Sequence, residues 1–124
     1  MIDFKNASFI KLRAVPNDTF SENITAMLVD GEEILQSFKA IRDGVVFTNK
    51  RIFAINVQGL TGSKIDYSSL PYSKIQAFSV ESAGILDLDS ELELWFSGLG
   101  KVKFEFVTRA NISQICRMIS ERVL

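Results

Sequence analysis

Between Arg42 and Val57 the chain reads RDGVVFTNKRIFAINV, and its apolar residues alternate in side along the backbone. Two turn signals interrupt the run. Asp43-Gly44 suits a two-residue hairpin turn in which both residues take positive φ. Asn49-Lys50 suits it less well, because only Asn49 adopts that conformation easily. With both turns taken at face value, Arg42 pairs with Val45 and Thr48 with Arg51. Successive side chains then point to opposite faces. Ala40, Phe47 and Ile52 share one face, and Ile41, Val46 and Phe53 share the other. The middle of this sheet is apolar on both sides. One side can form a core, and something must cover the other.

The alternation continues along the chain. Glu33–Ile41, Val45–Thr48 and Arg51–Val57 form a meander, Lys64–Ser69 a fourth strand and Lys74–Ser82 a fifth. Leu70-Pro71-Tyr72 separates the last two, since proline has no place in a central ladder. Glu91–Phe96 points Leu92, Leu94 and Phe96 inward and Trp95 outward, and Lys101–Phe106 points Val102, Phe104 and Phe106 inward. These inward sets meet only across a loop of odd length, which Gly98-Leu99-Gly100 supplies. Ala83–Ser90 is a connector.

Two stretches change to a helical period. In Thr19–Val29 the residues Phe20, Ile24, Met27 and Leu28 make one stripe, with Thr19 and Glu22 as a capping box and Gly31 closing the end. In Ala110–Leu124 the stripe is Ile112, Ile115, Cys116, Ile119 and Val123, with Asn111 as the cap. Residues 1–16 suggest an arm or helix that packs on the body through Phe4, Phe9, Ile10 and Leu12. The fold class that results is mainly β (α+β). Seven antiparallel strands form a barrel or sandwich capped by a C-terminal α-helix, with an N-terminal helix. Residues 1–29 would be arm and helix, and residues 30–124 the domain proper.

Five segments carry a resemblance: Asp30-Gly31-Glu32-Glu33-Ile34, Arg42 to Arg51, Gln58-Gly59-Leu60-Thr61-Gly62, Pro71-Tyr72-Ser73-Lys74-Ile75, and Asp87 to Leu92. Taken as a series, the chain resembles the bacterial pleckstrin-homology (PH) domain family of small stand-alone proteins, from about Ala26 to the C-terminus. The resemblance implies seven strands with a capping C-terminal helix, and self-assembly into ring-like homo-oligomers. It implies no known enzymatic activity. In eukaryotic lipid-binding relatives a long basic loop joins the first two strands. Here a two-residue turn containing Asp43 takes its place, which argues against inositide recognition.

Composition narrows the chemistry. At 124 residues, 47% hydrophobic and 23% charged, the chain has the proportions of one globular domain. A net charge of −1 provides no general attraction for nucleic acid or an anionic membrane. With no histidine, the commonest general base and metal ligand is missing. Cys116 is the only cysteine and reads as a buried, inert thiol. Nothing resembles a signal peptide or a membrane span, so a cytoplasmic protein is the expectation. No cofactor, metal or catalytic residue is expected.

Three clusters invite a chemical reading. The alternating acids of Asp87-Leu-Asp-Ser-Glu-Leu-Glu lack the glycine a calcium loop needs, and read instead as a solvated strand face pairing with Lys101 and Lys103. Gly59-Leu-Thr-Gly-Ser-Lys64 lacks Walker spacing and reads as a hairpin loop. In the expected register Lys39, Thr48 and Arg51 lie side by side with Lys50 in the adjoining turn, an arrangement that could hold an anionic lipid or another anion. The leading expectation is a non-catalytic module that binds itself, or another protein. Arg42, Val46, Ile52, Phe53 and Trp95 are its candidate contact residues. Anion or membrane binding through Lys39, Lys50 and Arg51 is the alternative.

Overall fold

The computed structural model describes residues 1–4, 9–82, 89–107 and 112–124. The strands are β1 (Phe9–Val15), β2 (Ile34–Ala40), β3 (Asp43–Thr48), β4 (Arg51–Gln58), β5 (Lys64–Pro71), β6 (Ile75–Ser82), β7 (Ser90–Phe96) and β8 (Gly100–Phe106). A short helix α1 (Ser21–Ile24) runs on into a 3-10 turn at Thr25–Met27, a second 3-10 turn spans Tyr72–Lys74, and helix α2 covers Ile112–Val123. All eight strands belong to one sheet in the order β5-β4-β3-β2-β1-β8-β7-β6, which curls into a half-barrel. Its concave side holds the main core. The Phe38 ring meets Phe106 at 4.7 Å and Phe47 at 5.8 Å between centroids, both edge-on. Helix α2 packs against β6 and the Tyr72–Lys74 turn, contributing Ile115, Met118 and Ile119 to that core.

The eighth strand corrects the reading of residues 1–16. Residues 9–15 are neither a helix nor an arm lying on the body. They form β1, antiparallel to β2 through Arg13↔Lys39 and parallel to β8 through Phe9↔Phe104 and Leu12↔Phe106. Phe9 and Leu12 both face the core, although they are three residues apart. An unbroken strand would send them to opposite sides. The register shifts between them, at Lys11 with φ 55°, and this bulge returns Leu12 to the inside.

The first hairpin also turns at an unexpected place. Ala40 pairs with Asp43 and Lys39 with Gly44, so the turn is Ile41-Arg42 rather than Asp43-Gly44. Packing explains the choice. A Cβ on Gly44 would lie 2.4 Å from Cζ of Phe20, so only glycine fits beneath that ring. Asp43 is also engaged, accepting from the Val57 N–H at 2.9 Å. With both residues committed to the strand, the turn falls on the pair before them. The slip is an even number of places and keeps each side chain on its face. Ile52 and Phe47 therefore line the core while Val46 and Phe53 lie outside it. The second turn, at Asn49-Lys50, keeps the expected register through Phe47↔Ile52. The β7–β8 loop has three residues but consists of Ser97, Gly98 and Leu99, one place earlier than expected.

What covers the outer face is the segment between β1 and β2. Phe20 and Ile24 pack on Val46, Phe53 and Ile55, with Val15, Met27, Leu28, Ile34 and Tyr67 around them. The eleven-residue helix read at Thr19–Val29 shortens to α1 and its 3-10 turn, and no capping box forms. Thr19 Oγ1 donates to the Pro16 carbonyl at 2.6 Å instead.

Candidate functional site

Glu32 joins the covering segment to the body. Its carboxylate is fully buried and accepts two parallel hydrogen bonds from Arg51, Nε to Oε2 and Nη2 to Oε1, both at 2.9 Å. Thr48 Oγ1 donates to Oε2 at 2.7 Å and the Val29 N–H to Oε1 at 3.0 Å. Burial by itself would raise the Glu32 pKa. The hydrogen bonds from Arg51, Thr48 and Val29, together with the Arg51 charge, outweigh it and hold the carboxyl below the ordinary glutamate range. Arg51 also donates to the Met27 carbonyl at 2.6 Å and lies 4.2 Å above the Phe53 ring.

This network removes the expected cation cluster. Arg51 is already paired with Glu32. Lys39 stands opposite Gly44 rather than Thr48, because the hairpin turns two residues early, and Thr48 faces Ile34. Lys50 is exposed in its turn. The three cations named from the sequence are not brought together.

The candidate contact residues divide in the same way. Val46, Ile52 and Phe53 have no more than 1% of their surface exposed within this one chain, so they offer nothing to a partner while the covering segment is in place. Arg42 is exposed and donates to the Gly59 carbonyl at 2.6 Å, tying the β2–β3 turn to the β4–β5 loop. Trp95 remains outside, 48% exposed between Ala77 of β6 and Lys101 of β8.

Around Trp95 the outer side of β7 and β8 carries charge. Lys103 lies 3.4 Å from both Glu91 and Glu105, and Lys101 lies 3.9 Å from Glu93. Hydrogen bonds to Glu91 and then Glu105 raise the Lys103 pKa. A cavity of about 240 Å³ opens nearby between Glu81, Asp89, Glu91 and Glu105. Among the described residues no group of metal-ligating side chains converges, and Asp87 lies outside them. The Gly59–Gly62 loop closes with a 3.3 Å hydrogen bond and leads into a strand. Cys116 is partly exposed rather than buried, and desolvation raises its pKa.

Sequence reasoning missed two residues that hold the site together. Glu32 sits beside Glu33 in the same acidic pair, and no spacing separates the buried one from the exposed one. Tyr72 was read as part of a strand break and of a family-like segment, with no role of its own. It is buried, donates from its hydroxyl to the Thr48 carbonyl at 2.7 Å, and has its pKa raised by that burial. The Arg122 guanidinium on α2 stacks 5.8 Å from its ring and donates to the Asn49 carbonyl.

The model of the family described as Bacterial PH domain matches residues 3–123. The chain belongs to that family. This bacterial PH domain is 40% identical over 117 residues to the uncharacterized protein YjqA of Bacillus subtilis, covering 93% of this chain and 90% of YjqA. It is 28% identical over 110 residues to the uncharacterized protein YozO of the same organism, covering 89% and 95%. A solved DUF1696 family protein with a pleckstrin-homology domain from Shewanella loihica matches with a TM-score of 0.78 and 35% identity, over 93% of this chain and 99% of that one. The pleckstrin homology domain from Shewanella amazonensis matches with a TM-score of 0.62 and 37% identity, over 96% and 93%. The family match includes β1, so the strand that the residue pattern hid belongs to the PH domain itself. No described helix is long and apolar enough to cross a membrane.

Proposed function

We propose that this PH domain is a non-catalytic interaction module that assembles with copies of itself. The observation that carries the reading is Trp95. A large aromatic, 48% exposed, stands one strand in from the edge strand β6, opposite the small side chain of Ala77. Exposed aromatics of this kind favour protein contact. Among the described residues, strands β5 and β6 end the sheet, each bonded to a neighbouring strand on one side only. Joining the β6 edge of one copy to the β5 edge of the next is a head-to-tail contact, which closes into a ring when the rotation per subunit allows. Another protein presenting a strand could use the same edge.

Light scattering on the purified protein tests this. The expected mass is a multiple of 13.9 kDa. Trp95→Glu is expected to shift the population toward monomer by roughly tenfold or more in dissociation constant, as for loss of an interface anchor. A wild-type protein that stays monomeric at micromolar concentration contradicts the proposal.

A further inference from the structure

The segment that covers the outer face holds on through few contacts. Between Pro16 and Leu28 only Phe20 and Ile24 are buried, four positions apart on the same side, with Met27 and Leu28 half-buried behind them. The helical part is a single turn with no side-chain cap. Asn17 Nδ2 donates to the Leu35 carbonyl at 3.1 Å, Asn23 Nδ2 to the Tyr67 hydroxyl at 3.2 Å, and Arg51 reaches the Met27 carbonyl. A short segment with so little buried surface opens without unfolding the sheet beneath it.

The fit beneath the cover is incomplete. Ser37 stands between Val15 and Val46 on the covered face, 2% exposed, and its hydroxyl has no hydrogen-bond partner among the described residues. A buried hydroxyl left unpaired is a cost that a better-matched occupant removes. The rim of the face is charged. From the β1 bulge to β5, the charged strand residues at outward positions are Arg13, Lys39 and Arg51, while Asp43, Lys64 and Asp66 take inward ones. Arg51 is held by Glu32. Arg13 and Lys39 oppose each other, are exposed and have no acidic partner among the described residues. Lys39 adjoins Gly44, the seat of the Phe20 ring. On the cover, Asp18 and Glu22 flank Phe20 and are exposed.

We propose that residues 16–28 are a displaceable stand-in for a partner, and that the face beneath them binds an acidic peptide segment of another protein, with an aromatic and an aliphatic residue four positions apart. The aromatic ring takes the seat on Gly44, and the aliphatic side chain replaces Ile24 among Val46, Phe53 and Ile55. A carboxylate beside the aromatic meets Lys39 and Arg13, and a polar side chain pairs with Ser37. The mode is a short helix laid in a groove, and the cover already carries its anchors. Charge selects the peptide, because the outward cations of these strands repel a basic one. Neither the sheet edges nor Trp95 takes part, so the groove does not depend on self-assembly.

Fluorescence anisotropy with a labelled synthetic peptide PNDTFSENITAMLV, the sequence of residues 16–29, tests the groove. The wild-type chain is expected to bind it weakly, because its own cover competes at high effective concentration. Phe20→Ala empties the seat on Gly44 and is expected to bind the peptide about a hundredfold more tightly than wild type. Asn23→Ala, a milder change that loses only the bond to Tyr67, should gain about fivefold. Adding Lys39→Glu to either variant should weaken binding by about tenfold, and Trp95→Glu should leave it unchanged. Among copies of the peptide with glutamine placed in turn at each position other than those of Phe20 and Ile24, at least one should gain about fivefold by reaching Ser37, a gain that Ser37→Ala removes. Any of four results overturns the proposal. The first is no binding by either cover variant. The second is equal binding of a scrambled peptide of the same composition, which would reduce the effect to charge. The third is indifference to Lys39→Glu. The fourth is a peptide that acts by dissolving a wild-type assembly, which would give the face to a second copy of this chain.

Discussion

Arg51→Met is expected to cost about 3 kcal/mol, a fall in melting temperature on the order of 10 °C, because it leaves the Glu32 carboxylate buried without its charge partner. The Thr48 and Val29 donors remain but cannot neutralise the charge. Glu32→Leu combined with Arg51→Met should recover much of the loss, since no lone charge is then buried. The effect depends on pH with a definite sign. The folded-state pKa of Glu32 is lowered, so its contribution is complete above the unfolded-state glutamate value and disappears as pH falls through the folded one. Thermal unfolding of wild type and Glu32→Gln should therefore differ most near neutrality and converge in acid. A difference that persisted unchanged in strong acid would mean that Glu32 acts by shape rather than charge.

The second large effect links residues twenty-four positions apart in sequence. Phe20→Ala should lose about 3 kcal/mol, the usual cost of deleting a buried aromatic side chain. Gly44→Ala should lose about 2 kcal/mol, because its new methyl group meets the Phe20 ring. The double variant is diagnostic. With the ring gone, the alanine has space, and its added cost should fall close to zero. Denaturant unfolding of all four proteins measures this coupling. Strictly additive losses would mean that Phe20 does not rest on Gly44.

That contact also explains which parts of the fold could be read from the sequence. The β7–β8 hairpin was legible because Leu92, Leu94 and Phe96 alternate without interruption against Val102, Phe104 and Phe106. The two apolar faces around Val46 and Ile52 were legible too, since an even slip of the hairpin does not exchange them. The turn itself was not. Asp43-Gly44 has strong local turn chemistry, and a tertiary contact with Phe20 overrides it. The cation cluster was inferred from that turn, so it failed with it. Strand β1 was hidden by its bulge, which spaces Phe9 and Leu12 like residues on a helix. Of the proposed contact surface only Arg42 and Trp95 lie where a partner can reach them, because the chain covers its own outer face.

That self-covering is the feature on which the account turns, and isotope-edited nuclear Overhauser spectroscopy tests it directly. In a sample mixing labelled and unlabelled protein, the Phe20 ring protons and the Gly44 Hα protons should show a strong contact within one chain. Finding that contact only between labelled and unlabelled molecules, or not finding it at all, would mean that a neighbouring copy or solvent occupies the face assigned here to residues 16–28.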